Sequence, residues 1–202
     1  MRDLLSIPVL YDFFQNFLGA KSARRRFCDQ YVRAVPGNSV LDIACGTSAI
    51  LEFLPTVDYW GFDENKDYVI CAQKKYPHSH FFCSHIRQQT LMGLPKFDIV
   101  MGIGIIHHLD DNDAVALFQL AKEALKPQGR LVTIDPCYFS DQSRLARYLI
   151  SKDRGNFVRT IKDYRRMAEI FFSDIITSLR QDLISIPYTH LIMECTKSKG
   201  DP

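Results

Sequence analysis

The feature that most constrains the fold is the step from an apolar run to a turn of small residues at positions 40–48. Val40 to Ile43 has the composition of a short buried strand, and Ala44, Gly46 and Ser48 then alternate through the turn. Small side chains let a ligand approach the main chain, and the first N–H groups of a following helix remain free to bind it. The segment therefore predicts a strand, a ligand-binding turn and a helix.

The rest of the chain repeats this alternation of strands and helices. Strands are predicted near 38–44, 58–62, 80–83, 97–102, 129–135, 171–179 and 188–196. Helices are predicted after Pro8 up to Gly19, over 21–31, and near 48–54, 66–76, 113–125, 139–151 and 160–169. Such alternation is typical of an α/β, Rossmann-like, doubly wound fold with helices on both faces of the sheet. Ligands bind such sheets at the carboxyl ends of the strands.

An acidic pair, Asp63-Glu64, follows the second predicted strand about twenty residues after the turn. An acidic residue at this spacing typically binds ribose hydroxyls in a nucleoside-binding βαβ unit. The turn has only one glycine, Gly46, which is poor for a dinucleotide pyrophosphate, and the chain has no P-loop sequence. These residues predict a cofactor that contains a nucleoside.

Four segments in order resemble the motifs of class I S-adenosylmethionine-dependent methyltransferases. The turn resembles the LDxGCGxG motif, and residues 61–63 resemble the ribose-binding acidic motif. Residues 97–109 resemble the fourth-strand motif, and residues 125–132 resemble the LKPGGRLV motif. The resemblance covers roughly residues 38–135 and is closest to the small-molecule type. It implies S-adenosylmethionine as cofactor, S-adenosylhomocysteine as product, and a seven-stranded, mostly parallel sheet whose last strand is antiparallel.

The resemblance also implies a set of cofactor-binding residues: Tyr11, Asp42, Ala44, Cys45, Gly46, Asp63, Glu64, Ser84, His85, Ile86 and Gly102. Four positions depart from the motifs, and one of them, Gln128 in the LKPGGRLV motif, is a turn position of little chemical consequence. Ala44 and Ser48 replace glycines, and His85 stands where the family often has an acid that accepts from the adenine amino group. A neutral histidine or the main chain near Ile86 is the expected substitute. Gly102 either approaches the methionyl part of the cofactor or serves helix–strand packing.

His107 follows the fourth predicted strand and is a candidate general base, because a neutral imidazole accepts protons near pH 7. Helix capping or packing is the alternative role. The predicted acceptor-binding residues are Tyr138, Arg154 and Arg159. Between positions 144 and 166 eight Lys or Arg face only two Asp, whereas the whole chain has a net charge of +2. This segment predicts a small acceptor that carries a phosphate or carboxylate, or else forms a solvated basic helix face.

The length predicts a single domain over 1–202. The resemblance implies that this is a methyltransferase domain with a helical cap (1–36), a cofactor-binding core (37–136), acceptor-side helices (137–170) and closing strands (171–197). The six cysteines form no C-x-x-C pair, which favours a reducing, cytoplasmic compartment without disulfides or a metal site. The apolar runs are too short to span a bilayer. The modest net charge does not favour nucleic acid as a partner. The oligomeric state is not predicted.

Two other functions compete with small-molecule methyl transfer. A non-catalytic binding protein of the same fold is favoured by Ala44, Ser48 and His85, whereas Asp63 and the small-residue turn argue against it. An enzyme that uses a related nucleoside donor, such as an aminopropyl transferase, usually needs extra acidic residues, but the predicted acceptor segment is basic.

Overall fold

The computed structural model describes residues 20–85 and 91–200. Two predicted cofactor-binding residues, Tyr11 and Ile86, and the predicted helix before Gly19 lie outside the described residues. The described strands are β1 Ser39–Ile43, β2 Asp58–Asp63, β3 His80–Cys83, β4 Phe97–Ile103, β5 Leu125–Tyr138, β6 Arg159–Thr160, β7 Asp174–Arg180 and β8 His190–Thr196.

The described helices are α1 Ala20–Phe27, α2 Lys66–Lys75, α3 Asp111–Ala124, α4 Arg144–Ser151 and α5 Ile161–Ala168. A π-helical turn, Cys28–Val32, continues α1, and the segments Ala49–Phe53 and Ile106–His108 are 3₁₀ turns. The helix predicted near 48–54 is therefore only a short 3₁₀ turn. The helix predicted from 139 begins instead at Arg144, where the Ser143 side chain accepts a hydrogen bond from the main-chain N–H of Ala146.

The seven long strands form one mixed sheet in the order β3-β2-β1-β4-β5-β8-β7. β8 runs antiparallel to both of its neighbours, and the described pairings of β1 to β5 are parallel. This arrangement confirms the predicted mostly parallel sheet with an antiparallel last strand. The two-residue β6 was not predicted, and it pairs with Cys137 and Tyr138 at the end of β5.

Helices cover both faces of this sheet, as predicted. On one face Val40 and Met101 pack with residues of α1, the π-helical turn and α2. On the other face Leu41 and Val100 pack with α3 and α5. All five residues of β1 are buried, because a central parallel strand that is covered on both faces has no solvent side.

The strand order reverses between β1 and β4. From β1 the chain adds β2 and then β3 on one side, and it continues with β4 and β5 on the other. Connections after neighbouring strands then leave in opposite directions, which opens a crevice at the carboxyl ends of β1 and β4. The small-residue turn after β1 lies at this crevice. Within residues 20–85 and 91–200, no helix has the length and apolar character needed to cross a bilayer.

Candidate functional site

The turn after β1 has the backbone conformation that glycines normally adopt. Ala44, Gly46 and Ser48 all have positive φ angles, of 62°, 55° and 53°. A left-handed conformation costs a residue with a Cβ roughly 1–2 kcal/mol, so Ala44 and Ser48 retain the shape of the motif at some expense in stability. A Cβ placed on Gly46 would meet nothing within 4 Å, which means that this part of the turn faces open space.

Asp63, at the end of β2, is bonded directly to this turn. Its Oδ2 accepts from the main-chain N–H of Gly46 at 2.8 Å, and its Oδ1 accepts from that of Asn65 at 2.8 Å. Each carboxylate oxygen has a second lone pair, so both can still accept from ribose hydroxyls. The tertiary structure therefore brings together two of the predicted cofactor-binding segments.

Asp42 supplies a second carboxylate beneath the turn. It is buried, and its Oδ2 accepts from the Tyr59 hydroxyl at 2.6 Å, whereas its Oδ1 has no partner among the described residues. Burial raises the pKa of Asp42 to about 7, and the nearby charge of Asp63 adds to this effect. Neither carboxylate has an ion-pair partner in the described part of the chain. The ionised Asp63, together with an Asp42 that is about half ionised at pH 7, suits a ligand that is itself cationic, as the sulfonium and ammonium groups of S-adenosylmethionine are.

Cys45 and Gly102 are positioned by packing. The Cys45 side chain is buried against β2, where a Cβ on Gly61 would lie 2.8 Å from its Sγ. Only the main chain of Cys45 is therefore available to a ligand. Gly102 is buried at the end of β4, and a Cβ there would lie 3.4 Å from Ile105 and 3.6 Å from Thr133. The lack of a side chain at Gly102 therefore allows Ile105 and Thr133 to pack closely against the main chain at the crevice.

Glu64, Ser84 and His85 form the exposed side of the predicted cofactor site. Glu64 follows β2, and Ser84 and His85 follow β3. The Glu64 Oε1 lies 2.6 Å from the Nδ1 of His85, so the two strand ends are joined by a carboxylate–imidazole contact. When Nδ1 carries the shared proton and His85 is neutral, its Nε2 is left as an acceptor.

His107 lies at the carboxyl end of β4 in a network of carboxylates. Its Nδ1 lies 2.8 Å from the Oδ1 of Asp135 on β5, and its Nε2 lies 3.2 Å from the Oδ1 of Asp153. The main-chain N–H of His107 also donates to Asp135. The hydroxyl of Tyr188 donates to the other oxygen of Asp153. A continuous polar chain thus joins the ends of β4 and β5 to the connections that follow α4 and precede β8.

We call residues 153–157, which cover His107, the strap. The main-chain N–H of Phe157 donates to the His107 carbonyl at 3.0 Å. A Cβ on Gly155 would lie 2.0 Å from the ring carbon Cδ2 of His107, so only glycine allows this contact. The strap is therefore docked on the histidine by an ion pair, a main-chain hydrogen bond and close packing.

These contacts do not favour the expected role of His107 as a general base. Burial lowers its pKa, but the hydrogen bonds and charges of Asp135 and Asp153 outweigh burial and raise the pKa of His107 to about 9. The same hydrogen bonds lower the pKa of Asp153 against the effect of burial. Burial raises the pKa of Asp135, and its bonds to His107 oppose that rise. At neutral pH His107 is an imidazolium with both ring nitrogens engaged, so it has no lone pair for a substrate proton.

The neighbouring His108 has the opposite environment. It is exposed, and its ring centroid lies 4.1 Å from that of His107. Partial burial and the positive charges of His107 and Arg154 lower the pKa of His108, against a smaller opposing effect of Asp153. His108 is therefore neutral at pH 7 and has the lone pair that His107 lacks.

The three predicted acceptor-binding residues do not share one environment. Arg154, on the strap, is exposed, and no hydrogen bond or ion pair to it is found in the described part of the chain. Tyr138 ends β5 and is half-buried, with the Arg147 guanidinium 5.3 Å from its ring centroid.

The contacts of Arg159 within the fold do not favour its predicted role in acceptor binding. It is buried, and its guanidinium donates to Asp111 and to the carbonyls of Ile106, Leu109 and Phe157. All of its nitrogens are engaged, so it fastens the start of β6 to the turn before α3.

Sequence reasoning missed the partners of His107. In the sequence Asp153 stands out only as one of the two acids among the basic residues of 144–166, and Tyr188 and His190 only as part of the strand predicted near 188–196. Burial lowers the pKa of His190 to about 4, and its Nδ1 is buried without a partner among the described residues. The Asp-Arg-Gly sequence at 153–155 was the one available indication, since glycine beside charged residues in a turn often marks a close approach.

Comparisons with known proteins agree with this geometry. Residues 40–129 match the family model described as a methyltransferase domain. A possible exported protein from Bordetella parapertussis superposes with a TM-score of 0.67 at 20% identity, over 87% of this chain and 66% of that one. Human N-acetylserotonin methyltransferase, solved with S-adenosylmethionine, gives 0.67 at 17% identity, over 88% and 52%. A TehB-like S-adenosylmethionine-dependent methyltransferase from Corynebacterium glutamicum gives 0.63 at 16% identity, over 94% and 98%.

The fold is that of the class I methyltransferases, as the four sequence motifs predicted. The match to the methyltransferase-domain model covers residues 40–129, somewhat less than half of the chain, and the solved neighbours include S-adenosylmethionine-dependent methyltransferases. The chain spans about two thirds of the Bordetella protein, at 66%, and about half of the human enzyme, at 52%. No curated protein matches the sequence of this chain.

Proposed function

We propose that this chain transfers the methyl group of S-adenosylmethionine to a small acceptor that carries a phosphate or carboxylate. The observation that carries the proposal is the direct bond between Asp63 and the Gly46 main chain, which joins the predicted ribose-binding acid to the turn after β1. The bound cofactor supplies an electrophilic methyl group on a sulfonium. The chain's own residues then have to bind, orient and exclude water.

In our proposal the nucleoside end of the cofactor binds on the exposed side of this site. Asp63 accepts from the ribose hydroxyls, and Glu64 holds His85 with its Nε2 free to accept from the adenine amino group. The cationic methionyl end lies nearer Asp42, whose carboxyl group is buried beneath the turn with its Oδ1 unpartnered among the described residues.

We place the methyl acceptor beside the exposed part of the strap. Arg154 supplies the charge for an anionic group, because a guanidinium binds carboxylate and phosphate oxygens through paired N–H donors. His108 is the group able to receive a proton when the acceptor atom is a protonated oxygen or nitrogen. His107, Asp135 and Asp153 hold the strap in place and do not contact the reacting atoms.

Calorimetric titration with S-adenosylmethionine and S-adenosylhomocysteine tests the cofactor site. We expect saturable binding by the wild type and a loss of roughly 10- to 100-fold in the Asp63→Ala variant, since hydrogen bonds to a charged group contribute about 1.5–3 kcal/mol. Asp58→Ala is the matched control, because Asp58 begins the same strand at its opposite end. Thermal melts of both variants verify that the domain remains folded.

The outcomes separate the proposal from a non-catalytic binding function. Absence of binding by folded wild-type protein would refute the cofactor site. Binding of both cofactor forms without methyl transfer to any anionic acceptor would favour a binding protein of the same fold. In an active preparation, Arg154→Ala should raise the KM for an anionic acceptor and leave cofactor affinity unchanged. An unchanged KM would refute the role of Arg154.

A further inference from the structure

Helix α4 presents large apolar side chains to solvent. Its inward positions are Ala146 and Ile150, which are one turn apart and buried. On the outer surface Leu145 is 55% exposed and Tyr148 is 57% exposed, three residues apart on one face. The helix is therefore apolar on two sides, and only the inner side is covered by the described part of the fold.

Basic side chains surround these two residues. Arg144, Arg147 and Lys152 are exposed on and just after α4, and α4 has no acidic residue. Lys162 and Arg166 are exposed on α5, one helical turn apart. We call the exposed residues of these two helices the basic face: Arg144, Leu145, Arg147, Tyr148, Lys152, Lys162 and Arg166.

A groove of about 370 Å³ joins the two helices into one surface. Arg147 of α4 and Lys162 of α5 both line it, together with Tyr138, Phe139 and Ile161. The strap follows α4 in the chain, and on it Arg154 is exposed and Phe157 is 40% exposed. Cations and apolar groups thus alternate over neighbouring elements.

The charge of this surface is mainly positive, with Asp163 on α5 as an acid between Lys162 and Arg166. The exposed acids nearest in sequence are Asp141 and Asp163, and Asp163 accepts from the hydroxyl of Thr160. Asp153 is occupied by His107 and Tyr188. Two of the cations lie against aromatic rings, with Arg147 5.3 Å from the Tyr138 centroid and Lys152 5.6 Å from that of Tyr148. The positive potential is therefore concentrated around the exposed apolar residues.

We propose that the basic face binds the surface of an anionic phospholipid bilayer. Leu145 and Tyr148 would enter the boundary between headgroups and acyl chains, while the long basic side chains reach the phosphates around them. An eight-residue helix is only about 12 Å long, so it lies in the interface and does not cross it. Apart from cations, the outer surface of α4 presents mainly one aliphatic and one aromatic side chain, Leu145 and Tyr148. This composition suits a lipid headgroup layer better than a protein partner, which would present its own specific pattern of side chains. The inference concerns binding alone and does not depend on methyl transfer.

Vesicle sedimentation tests this proposal without cofactor or acceptor. Purified chain is mixed with vesicles of phosphatidylcholine alone or with 30% phosphatidylglycerol, an amount chosen as roughly physiological for an anionic surface. We expect sedimentation only with the anionic vesicles, and release when salt is raised from about 0.1 to about 0.5 M, because the Debye length shortens. A Tyr148→Trp variant should also show a blue shift of its fluorescence on anionic vesicles.

Matched variants distinguish this surface from general electrostatic attraction. Arg144→Gln, Arg147→Gln and Lys152→Gln together should weaken vesicle binding roughly 100-fold, at about fivefold for each cation near the surface. Lys66→Gln, Lys74→Gln and Lys199→Gln remove the same charge from exposed positions elsewhere and should have little effect. Leu145→Ser with Tyr148→Ser should weaken binding without changing its dependence on salt.

Three results would overturn the proposal. These are the absence of binding to anionic vesicles at low salt, equal losses in the two triple variants, and tight binding to an acidic polypeptide such as polyglutamate with none to vesicles. The last result would assign the surface to a protein partner. Cofactor titration of the same preparations is separate from these outcomes, since none of the altered residues lies in the cofactor site.

Discussion

The raised pKa of His107 predicts that the stability of this domain falls as pH rises through the mildly alkaline range. The pKa of His107 is about 9 in the folded protein and 6.5 in the unfolded chain. Between these values the folded state binds the extra proton, so the free energy of unfolding decreases as pH increases. The contribution is complete below pH 6.5 and is lost as pH rises through 9.

The magnitude follows from the shift. A difference of about 2.5 units, at 1.36 kcal/mol per unit, corresponds to about 3 kcal/mol in all. From His107 alone we expect a loss of about 2–3 kcal/mol between pH 7 and pH 9.5, which corresponds to a decrease in melting temperature of roughly 4–10 °C for a chain of this size. The ion pair is buried, since the side chain of His107 is 7% exposed, so screening by salt should change this value little.

The control is His107→Gln, which retains an amide for hydrogen bonding and removes the titrating group. Burial also raises the pKa of thiols such as Cys28 and Cys45. These thiols titrate in the same way in the wild type and in His107→Gln, so their effect cancels in the difference between the two free energies of unfolding. At pH 7 the variant should be less stable by about 3–5 kcal/mol, because two carboxylates lose their cation. Urea unfolding at half-unit steps of pH should show this gap closing toward pH 9.5. A gap that stays constant with pH would refute the charged state assigned to His107.

Three further predictions follow from single contacts. Ala44→Gly should raise the free energy of unfolding by about 1 kcal/mol, because φ is 62° at this position, and an unchanged or lower denaturation midpoint would contradict the strain. Gly155→Ala should displace the strap, since the new Cβ would lie 2.0 Å from His107, and trypsin should then cut faster after Arg154; unchanged cleavage would show that the contact is dispensable. Arg159→Lys should lower the free energy of unfolding by about 2–4 kcal/mol, because a single ammonium cannot replace the guanidinium's hydrogen bonds to Asp111 and three carbonyls. A loss of acceptor affinity without a loss of stability would instead support Arg159 as an acceptor-binding residue.

Local pattern predicted most of the fold. The apolar strand before Ala44 and the alternation of strands and helices indicated a parallel sheet covered on both faces, because the period of apolar residues reports how many faces of an element are buried. Boundaries were less accurate. β5 runs from Leu125 to Tyr138, well beyond the predicted 129–135, because pairing with β4 and β8 extends it, and pairing partners are not encoded locally.

The sequence also predicted some features of the candidate site and missed others. Asp63 and the turn that contains Gly46 were predicted from spacing alone, and the structure joins them by a hydrogen bond across 17 residues. The state of His107 was not predictable, since it depends on Asp135, Asp153 and the packing of Gly155. The sequence predicts that Arg159 binds the acceptor, whereas tertiary packing buries it against Asp111.

The sequence by itself determined the class of fold and the order of the cofactor-binding motifs, because backbone conformation and burial periodicity act over a few neighbouring residues. Only the tertiary structure decided which histidine is charged and which arginine is free. A pKa depends on burial and on charges brought within a few ångströms, and in this chain those charges come from β5, the strap and the connection before β8. Residues distant in sequence therefore set the chemistry at the end of β4.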